Sequence, residues 1–228
     1  MQQFFTNAFN SLTSEEKESF YKSVFMSDPS EHAAKLRSEY YTSVFKSAGI
    51  NLKIGANVKI VNPQYISVGD NVTIGDNCTL IARGEGGITL GDKVRLNDRV
   101  YLDTETADQG YIIIESHVYV GTGTTLFGHV GLEIGDHTLL AQNITLTPYS
   151  HIFDNPNANI ITQGGHMEKV TIGRDCYLGM GVCVMYSGSI GDGSVIGAHS
   201  TVVKPIPAYS VAIGTPAKVI KQRGPINE

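Results

Sequence analysis

Histidine and cysteine are the side chains best able to transfer a proton or attack a substrate near neutral pH, and the chain has 7 His and 3 Cys. His151 lies at the head of a long segment, residues 147–169, that is punctuated by Pro, Asn and Gly. Segments of this length within a regular fold are usually functional. A neutral imidazole there is suited to take a proton from an attacking hydroxyl group or amine. We therefore predict that His151 is a general base.

The other histidines and the cysteines give no comparable signal. Cys78 and Cys176 occupy repeat positions that favour small buried side chains, so we expect no catalytic thiol. We expect surface positions for the remaining histidines, which are His32, His117, His129, His137, His166 and His199.

A six-residue repeat must position His151. Aliphatic residues recur at every sixth position of residues 171–203, often followed by Gly, at Ile172, Leu178, Val184, Ile190, Ile196 and Val202. Neither a helix nor an alternating strand explains this spacing, whereas short self-similar repeats are typical of solenoids. A second inward position, four residues after the aliphatic one, carries Cys176, Val182, Ser194 and Ser200. We predict short strands joined by tight corners, with three hexads to a coil and roughly seven coils.

The repeat starts at Ile54 and is interrupted by short excursions at residues 81–87, 103–111 and 127–133. Residues 147–169 hold no hexad and are predicted to be a long ordered loop inserted at a corner. We assign residues 50–223 to the repeat domain and residues 224–228 to a C-terminal tail.

Residues 1–49 have a different character, with hardly any Gly, and are predicted to form a helical cap. Thr13 followed by Glu16 is a capping-box pattern for a helix to about residue 26. Asp28 and Pro29 suggest the start of a second amphipathic helix, to about residue 47. These helices either shield the open first coil or lean over the active site of a neighbouring subunit.

Composition excludes several partners. The net charge is −5 and no run of Lys or Arg is present, which argues against nucleic acid and anionic membranes as partners. No apolar stretch is long enough to insert into a membrane, and the first ten residues lack a signal-peptide pattern. We therefore expect a cytoplasmic protein.

Two segments resemble the hexapeptide-repeat acyltransferases, with galactoside, maltose and polysaccharide acetyltransferases closest in pattern. Residues 134–151, I-G-D-H-T-L-L-A-Q-N-I-T-L-T-P-Y-S-H, are similar to the part of these enzymes that leads to their catalytic His. Residues 196–221, I-G-A-H-S-T-V-V-K-P-I-P-A-Y-S-V-A-I-G-T-P-A-K-V-I-K, are similar to their shared ending. The resemblance covers residues 54–223 and implies a left-handed parallel β-helix with His151 as general base.

The resemblance also implies acetyl-CoA or another acyl-CoA as co-substrate, bound between two subunits of a homotrimer. The matching positions are Gly179, Met180, Ala198, Val203, Lys204, Lys218 and Lys221. Small residues let the narrow pantetheine arm approach the backbone, and ammonium groups suit the phosphates. Solvated surface charge is the alternative for Lys218 and Lys221.

The acceptor site is less well defined. The galactoside and maltose enzymes carry an Asn that contacts the acceptor, and Gly121 stands at that position here. Candidate contacts to a sugar are Asn143, Tyr149, Asp154 and Asn155, each of which also suits a turn. Either Asp154 or a backbone carbonyl is expected to orient the second ring nitrogen of His151.

We expect no metal in the reaction. Zinc-dependent carbonic anhydrases share the repeat, but their ligand pattern includes two His five residues apart, a spacing that no His pair has here.

The sequence thus predicts an acyl-CoA-dependent transferase that acylates a sugar in surface polysaccharide or glycan synthesis by direct attack on the thioester. N-acylation of a nucleotide-linked amino sugar is the first alternative. A non-catalytic scaffold or binding module is the second, but it would need neither the His151 segment nor the shared ending.

Overall fold

The computed structural model describes residues 10–224, so the first nine residues of the predicted helical cap and the predicted tail beyond Gly224 lie outside the described residues. Two helices, α1 (Ser14–Ser27) and α2 (Glu31–Val44), precede the strands. The first twelve strands are β1 (Ser47–Ala48), β2 (Lys53–Ile54), β3 (Lys59–Val61), β4 (Ile66–Val68), β5 (Thr73–Ile74), β6 (Thr79–Ile81), β7 (Ile88–Leu90), β8 (Arg95–Leu96), β9 (Tyr101–Asp103), β10 (Ile112–Ile114), β11 (Tyr119–Val120) and β12 (Thr125–Phe127). The others are β13 (Leu132–Ile134), β14 (Leu139–Leu140), β15 (Thr145–Leu146), β16 (Tyr149–His151), β17 (Gly165–Met167), β18 (Val170–Ile172), β19 (Tyr177–Leu178), β20 (Cys183–Val184), β21 (Val195–Ile196), β22 (Thr201–Val202), β23 (Ser210–Ile213) and β24 (Lys218–Gln222).

The strands stack into three faces of a β-helix of about seven coils. Face A contains β1, β4, β7, β10, β13 and β18; face B contains β2, β5, β8, β11, β14, β19, β21, β23 and β24; face C contains β3, β6, β9, β12, β15, β20 and β22. Neighbouring strands in a face are parallel, except for the antiparallel pair β23 and β24. Corner AB joins face A to face B within a coil, corner BC joins face B to face C, and corner CA leads to the next coil.

The hexad aliphatic residues fill the interior as predicted. Ile172, Leu178, Val184, Ile190, Ile196 and Val202 are all at most 2% exposed. Full burial of such a side chain contributes about 1.5–3 kcal/mol, so the stacked interior is the main source of stability. The second inward position is also buried at Cys176, Val182, Ser194 and Ser200.

Aspartates connect the corners of successive coils. At corner AB, the Asp70 carboxylate accepts the Ile50 N–H, Asp92 accepts the Asp70 N–H, and Asp192 accepts the Arg174 N–H. These bonds satisfy amide groups that the short strands leave without a ladder partner.

The N-terminal helices differ in how well the sequence predicted them. The predicted capping box of α1 is confirmed, with Thr13 as N-cap and reciprocal bonds to Glu16. The predicted start of the second helix at Asp28 is wrong, because Ser30 is the N-cap and the Asp28 carboxylate instead accepts the Ser30 N–H in the turn. The helix also ends at Val44, and β1 already belongs to face A.

The buried face of α2 contains Ala33, Arg37 and Tyr41. The buried Arg37 guanidinium donates to the carbonyls of Phe25, Asp28 and Ile54, so it ties both helices to the first coil. Neither of the two described helices is long and apolar enough to cross a bilayer.

All the predicted excursions leave the β-helix at corner CA, between a strand of face C and the next strand of face A. The long segment, residues 147–169, does the same, but it is not irregular throughout. Its ends pair as the antiparallel hairpin of β16 and β17, and Ile160–Thr162 forms a 3-10 turn at its tip. The repeat therefore holds the base of this hairpin rigidly and projects it from one corner.

Candidate active site

The hairpin of β16 and β17 carries His151. His151 pairs with Gly165 across the hairpin, and Tyr149 pairs with Met167. The Tyr149 ring covers Gly165 so closely that a Cβ there has no room, which explains the Gly. Tyr149 and His151 lie two residues apart on one strand, so their side chains share a face.

The Tyr149 hydroxyl lies 3.0 Å from Nδ1 of His151. The expected partner of this nitrogen was Asp154 or a backbone carbonyl, whereas the structure places a phenol there. Asp154 is exposed further along the segment and makes no hydrogen bond or ion pair within residues 10–224. When Nδ1–H donates to the Tyr149 oxygen, Nε2 carries the lone pair that a base needs. The His151 side chain is exposed, so its Nε2 is accessible to a substrate.

Tyr149 is held by the preceding coil. Its ring stacks on the His129 imidazole, with centroids 5.0 Å apart and planes at 11°. His129 in turn meets the edge of Phe127, which meets the edge of Tyr101. His129 is only partly at the surface, because this aromatic stack half-buries it and leaves its Nδ1 without a hydrogen-bond partner among the described residues. Burial lowers the pKa of His129, and the nearby Glu105 and Asp103 only partly oppose this.

A buried carboxylate anchors the same corner two coils before the hairpin. Asp103 accepts two bonds from Arg83, at 2.8 and 2.7 Å, and further bonds from Tyr101 and the Glu105 amide. Burial opposes ionisation of Asp103, but these donors outweigh it and its pKa lies below the usual value. Asp103 therefore fixes Tyr101 and, through the aromatic stack, supports the base of the hairpin.

Within residues 10–224, the remaining predicted acceptor contacts make no hydrogen bond to His151. Asn143 is at corner BC, in the left-handed backbone region, where it bonds the coil before it. Asn155 closes a turn near the tip, accepting the Asn157 N–H. The structure brings Tyr149 to His151 and places the other three elsewhere. Gly121 lies at corner BC, and a Cβ at this position would collide with the Ala141 backbone.

The predicted coenzyme residues line the edges of face C in the last coils. Gly179, Met180 and Ala198 lie together at corner BC, where a Cβ on Gly179 would approach the Ala198 nitrogen to 2.6 Å. Val203 and Lys204 follow β22 at the opposite edge of the face and are exposed. A linear molecule along face C would therefore meet both groups.

Lys218 and Lys221 lie on β24, which pairs antiparallel with β23 at the end of face B. Both are exposed, and neither makes an ion pair within residues 10–224. Their ammonium groups are available to an anionic ligand.

The three cysteines lack the properties of nucleophiles. Burial raises the pKa of Cys78 to about 11, and it raises the pKa values of Cys176 and Cys183 as well. A thiol with a raised pKa holds little thiolate near pH 7, so none of them is activated.

Comparisons with known proteins concern the repeat, the sequence and the fold. The family model for the hexapeptide repeat of succinyl-transferase matches residues 65–103. A putative lipopolysaccharide biosynthesis O-acetyl transferase of Escherichia coli K12, WbbJ, is 31% identical over 170 residues, which cover 72% of this chain and 74% of that protein. A dTDP-4-amino-4,6-dideoxy-D-glucose acyltransferase of Escherichia coli is 28% identical, over 78% of this chain and 83% of that protein.

A probable acetyltransferase of Mycobacterium tuberculosis is 32% identical over 72% of this chain, but the chain spans only 54% of its length. Among solved structures, a variant of the N-acyltransferase AntD from Bacillus cereus, in complex with dTDP-4-amino-4,6-dideoxyglucose and coenzyme A, superposes with a TM-score of 0.61. It is 22% identical and the match covers 83% of this chain and 90% of that one. This likeness concerns the fold, and the predicted left-handed parallel β-helix is confirmed.

Proposed function

Because the chain belongs to the hexapeptide-repeat acyltransferases, we propose that it transfers an acyl group, acetyl in the first place, from coenzyme A to a sugar. The setting would be synthesis of a surface polysaccharide or another glycan, as the description of the lipopolysaccharide relative suggests. The observation that carries the proposal is the pairing of Tyr149 with Nδ1 of His151 on an ordered hairpin, since an Nδ1–H that donates to the phenol oxygen leaves the lone pair on Nε2.

The proposed reaction is a direct transfer. Nε2 of His151 takes the proton of the acceptor hydroxyl while its oxygen attacks the thioester carbonyl carbon. The tetrahedral intermediate then collapses, the C–S bond breaks, and the coenzyme A thiolate takes the proton back from the imidazolium. A cysteine acyl-enzyme is not needed, and the raised pKa values of the three thiols support direct attack.

The proposed coenzyme site follows face C of the last coils. Gly179 and Ala198 let the pantetheine arm reach the backbone at corner BC, with Met180, Val203 and Lys204 along the groove. Lys218 and Lys221 are proposed to meet the phosphates. On a single chain His151 faces solvent, so we propose that a second subunit covers it in a homotrimer. Since acyl-CoA donors are cytoplasmic metabolites, the cytoplasm is the proposed compartment.

A nucleotide-linked amino sugar is the second candidate acceptor. The similar acyltransferase of Escherichia coli is described as acting on such a compound. Gly121 also argues against a galactoside-type acceptor, because the Asn of those enzymes has no room at this position. In this reaction the same base would take a proton from the attacking amine.

The test is thiol release from acetyl-CoA with a panel of neutral sugars and nucleotide-linked amino sugars. We expect release to require one acceptor class and to fall at least about 100-fold in His151→Ala, the usual contribution of a general base. The exposed His32 on α2 provides a matched control, His32→Ala, that should keep full activity. Hydroxylamine then separates a labile ester product from a resistant amide.

Two outcomes would contradict the proposal. Unchanged turnover in His151→Ala would remove this residue from the mechanism. A chain that binds no acetyl-CoA would instead favour the non-catalytic scaffold or binding module.

A further inference from the structure

We propose that His117, Asp136 and His137 form a binding site for a divalent transition-metal ion of the zinc class. The three residues lie at corner AB of two successive coils. Nδ1 of His117 is 3.3 Å from one carboxylate oxygen of Asp136, and Nδ1 of His137 is 2.8 Å from the other. One donor atom from each residue lies within 4.8 Å of the other two.

Asp136 departs from the pattern of its corner. The carboxylates of Asp70, Asp92 and Asp192 each accept a backbone N–H from the coil before them. The Asp136 carboxylate bonds no backbone amide among the described residues and faces the two imidazoles instead. The Asp136 N–H is satisfied separately, by Glu115. Unlike the other three aspartates, the Asp136 carboxylate therefore does not connect its coil to the coil before it through a backbone N–H.

The donor set selects the kind of ion. Two imidazole nitrogens and one carboxylate oxygen suit Zn²⁺, Co²⁺ or Ni²⁺, whereas Mg²⁺ and Ca²⁺ prefer oxygen donors alone. The imidazoles now stack with centroids 4.4 Å apart and planes at 12°. Zinc–nitrogen bonds are about 2.0–2.1 Å, so binding requires both rings to turn toward a common point. Their side chains, 39% and 62% exposed, have the freedom to do so, and water would complete the coordination.

Local charge also favours a cation. Of the acidic residues beside this corner, Asp175 pairs with Arg223 and Asp192 pairs with Arg174. Asp136 and Glu115 make no salt bridge with Lys or Arg in the described part of the chain, and Glu115 interacts with the Arg174 charge only at longer range. A divalent ion would neutralise both carboxylates.

The proposed ion has no part in the acyl transfer. The His151 hairpin projects from corner CA, whereas this site lies at corner AB. The expectation that the reaction uses no metal is therefore unaffected. Because its ligands come from adjacent coils, the ion would act as a clamp that stabilises their stacking.

The chain itself suggests conservative variants. His117 and His137 adopt left-handed backbone, with φ of 59° and 58°, and Asn51 and Asn71 hold the same corner position in the first coils with the same conformation. His117→Asn and His137→Asn therefore keep the corner geometry while removing an imidazole ligand. His199→Asn is the matched control, since His199 has the same backbone conformation at corner BC and no carboxylate is placed beside its ring in the described residues.

The experiment is equilibrium dialysis of the full chain against ZnCl₂, with the visible spectrum of Co²⁺ as a direct report of ligation. We expect one ion per chain in the wild type and in His199→Asn, and at least about tenfold weaker binding in His117→Asn, His137→Asn and Asp136→Asn. Zinc should also raise the melting temperature of the wild type but not of these three variants. No zinc uptake by the wild type, or equal uptake by all variants, would overturn the proposal.

Discussion

The Tyr149 hydroxyl and Nδ1 of His151 lie 3.0 Å apart on β16, the first strand of the hairpin that projects from corner CA. This contact is local in sequence, because residues i and i+2 of a strand point the same way. Its stability is not local, because the Tyr149 ring stacks on His129 of the preceding coil. The proposed base is therefore oriented by a phenol that the β-helix itself holds in place.

Tyr149→Phe should lower kcat and leave the KM for acetyl-CoA unchanged. The variant keeps the ring and its stack on His129 but removes the oxygen that contacts Nδ1 of His151. A single hydrogen bond contributes about 0.5–1.5 kcal/mol, so we expect a loss of roughly 2- to 12-fold. Steady-state kinetics with both substrates provides the measurement. An unchanged kcat in Tyr149→Phe would show that another group orients the imidazole.

His129→Phe should make the protein less sensitive to acid. Burial lowers the pKa of His129 below its value of 6.5 in the unfolded chain, so the unfolded state binds a proton that the folded state resists. Stability is therefore lost as pH falls below about 6.5, and a phenyl ring removes that loss while keeping the stack on Tyr149. Between pH 8 and pH 5.5, the melting temperature of the wild type should fall by on the order of 2 °C more than that of the variant. Parallel curves would contradict this account.

Lys218→Ala and Lys221→Ala should each raise the KM for acetyl-CoA by about 3- to 5-fold, with kcat unchanged, because exposed ion pairs contribute up to about 1 kcal/mol. The effect should shrink at high salt, since these charges are exposed and screened. Lys59→Ala is the matched control, an exposed lysine on β3 in the first coils. Equal KM values for acetyl-CoA in all three variants would show that Lys218 and Lys221 are solvated surface charges that do not bind the coenzyme.

Cys183→Ser should retain kcat within about twofold, as expected for a thiol without a chemical role. Cys183 is the least buried of the three cysteines, yet burial still raises its pKa. Trapping of an acetyl group on the wild-type protein, measured by mass spectrometry with and without acceptor, offers a second readout. A stable acetyl-thiol that the acceptor discharges would replace direct transfer with a two-step reaction.

The sequence predicted the interior of the fold from short-range spacing. The six-residue period identified side chains such as Ile172 and Val202, and the structure buries them. The capping box of Thr13 and Glu16 was predicted for the same reason, since both partners lie within one helical turn. The sequence also proposed His151 as the base, from its place at the head of a segment that breaks the repeat, and that role stays a prediction.

Tertiary structure decided which outward side chains meet. The contacts of Tyr149 with His129, and of His137 with His117, join residues on neighbouring coils. The short-range period does not determine such pairs, because the excursions at corner CA vary in length and change the offset between coils. The hairpin of β16 and β17 likewise pairs two strands within residues 147–169, where the six-residue repeat is absent.

Inward positions can be predicted from the sequence, whereas outward contacts cannot, because the two depend on interactions of different range along the chain. An inward position is set by the exclusion of water from a narrow interior, which every hexad satisfies by itself through one apolar residue. An outward contact depends on the stacking register of whole coils, and therefore on how the intervening chain is accommodated. The sequence alone thus determined the β-helix and proposed His151 as its base, whereas the phenol beside His151 and the imidazole pair at corner AB were decided only by how the coils stack.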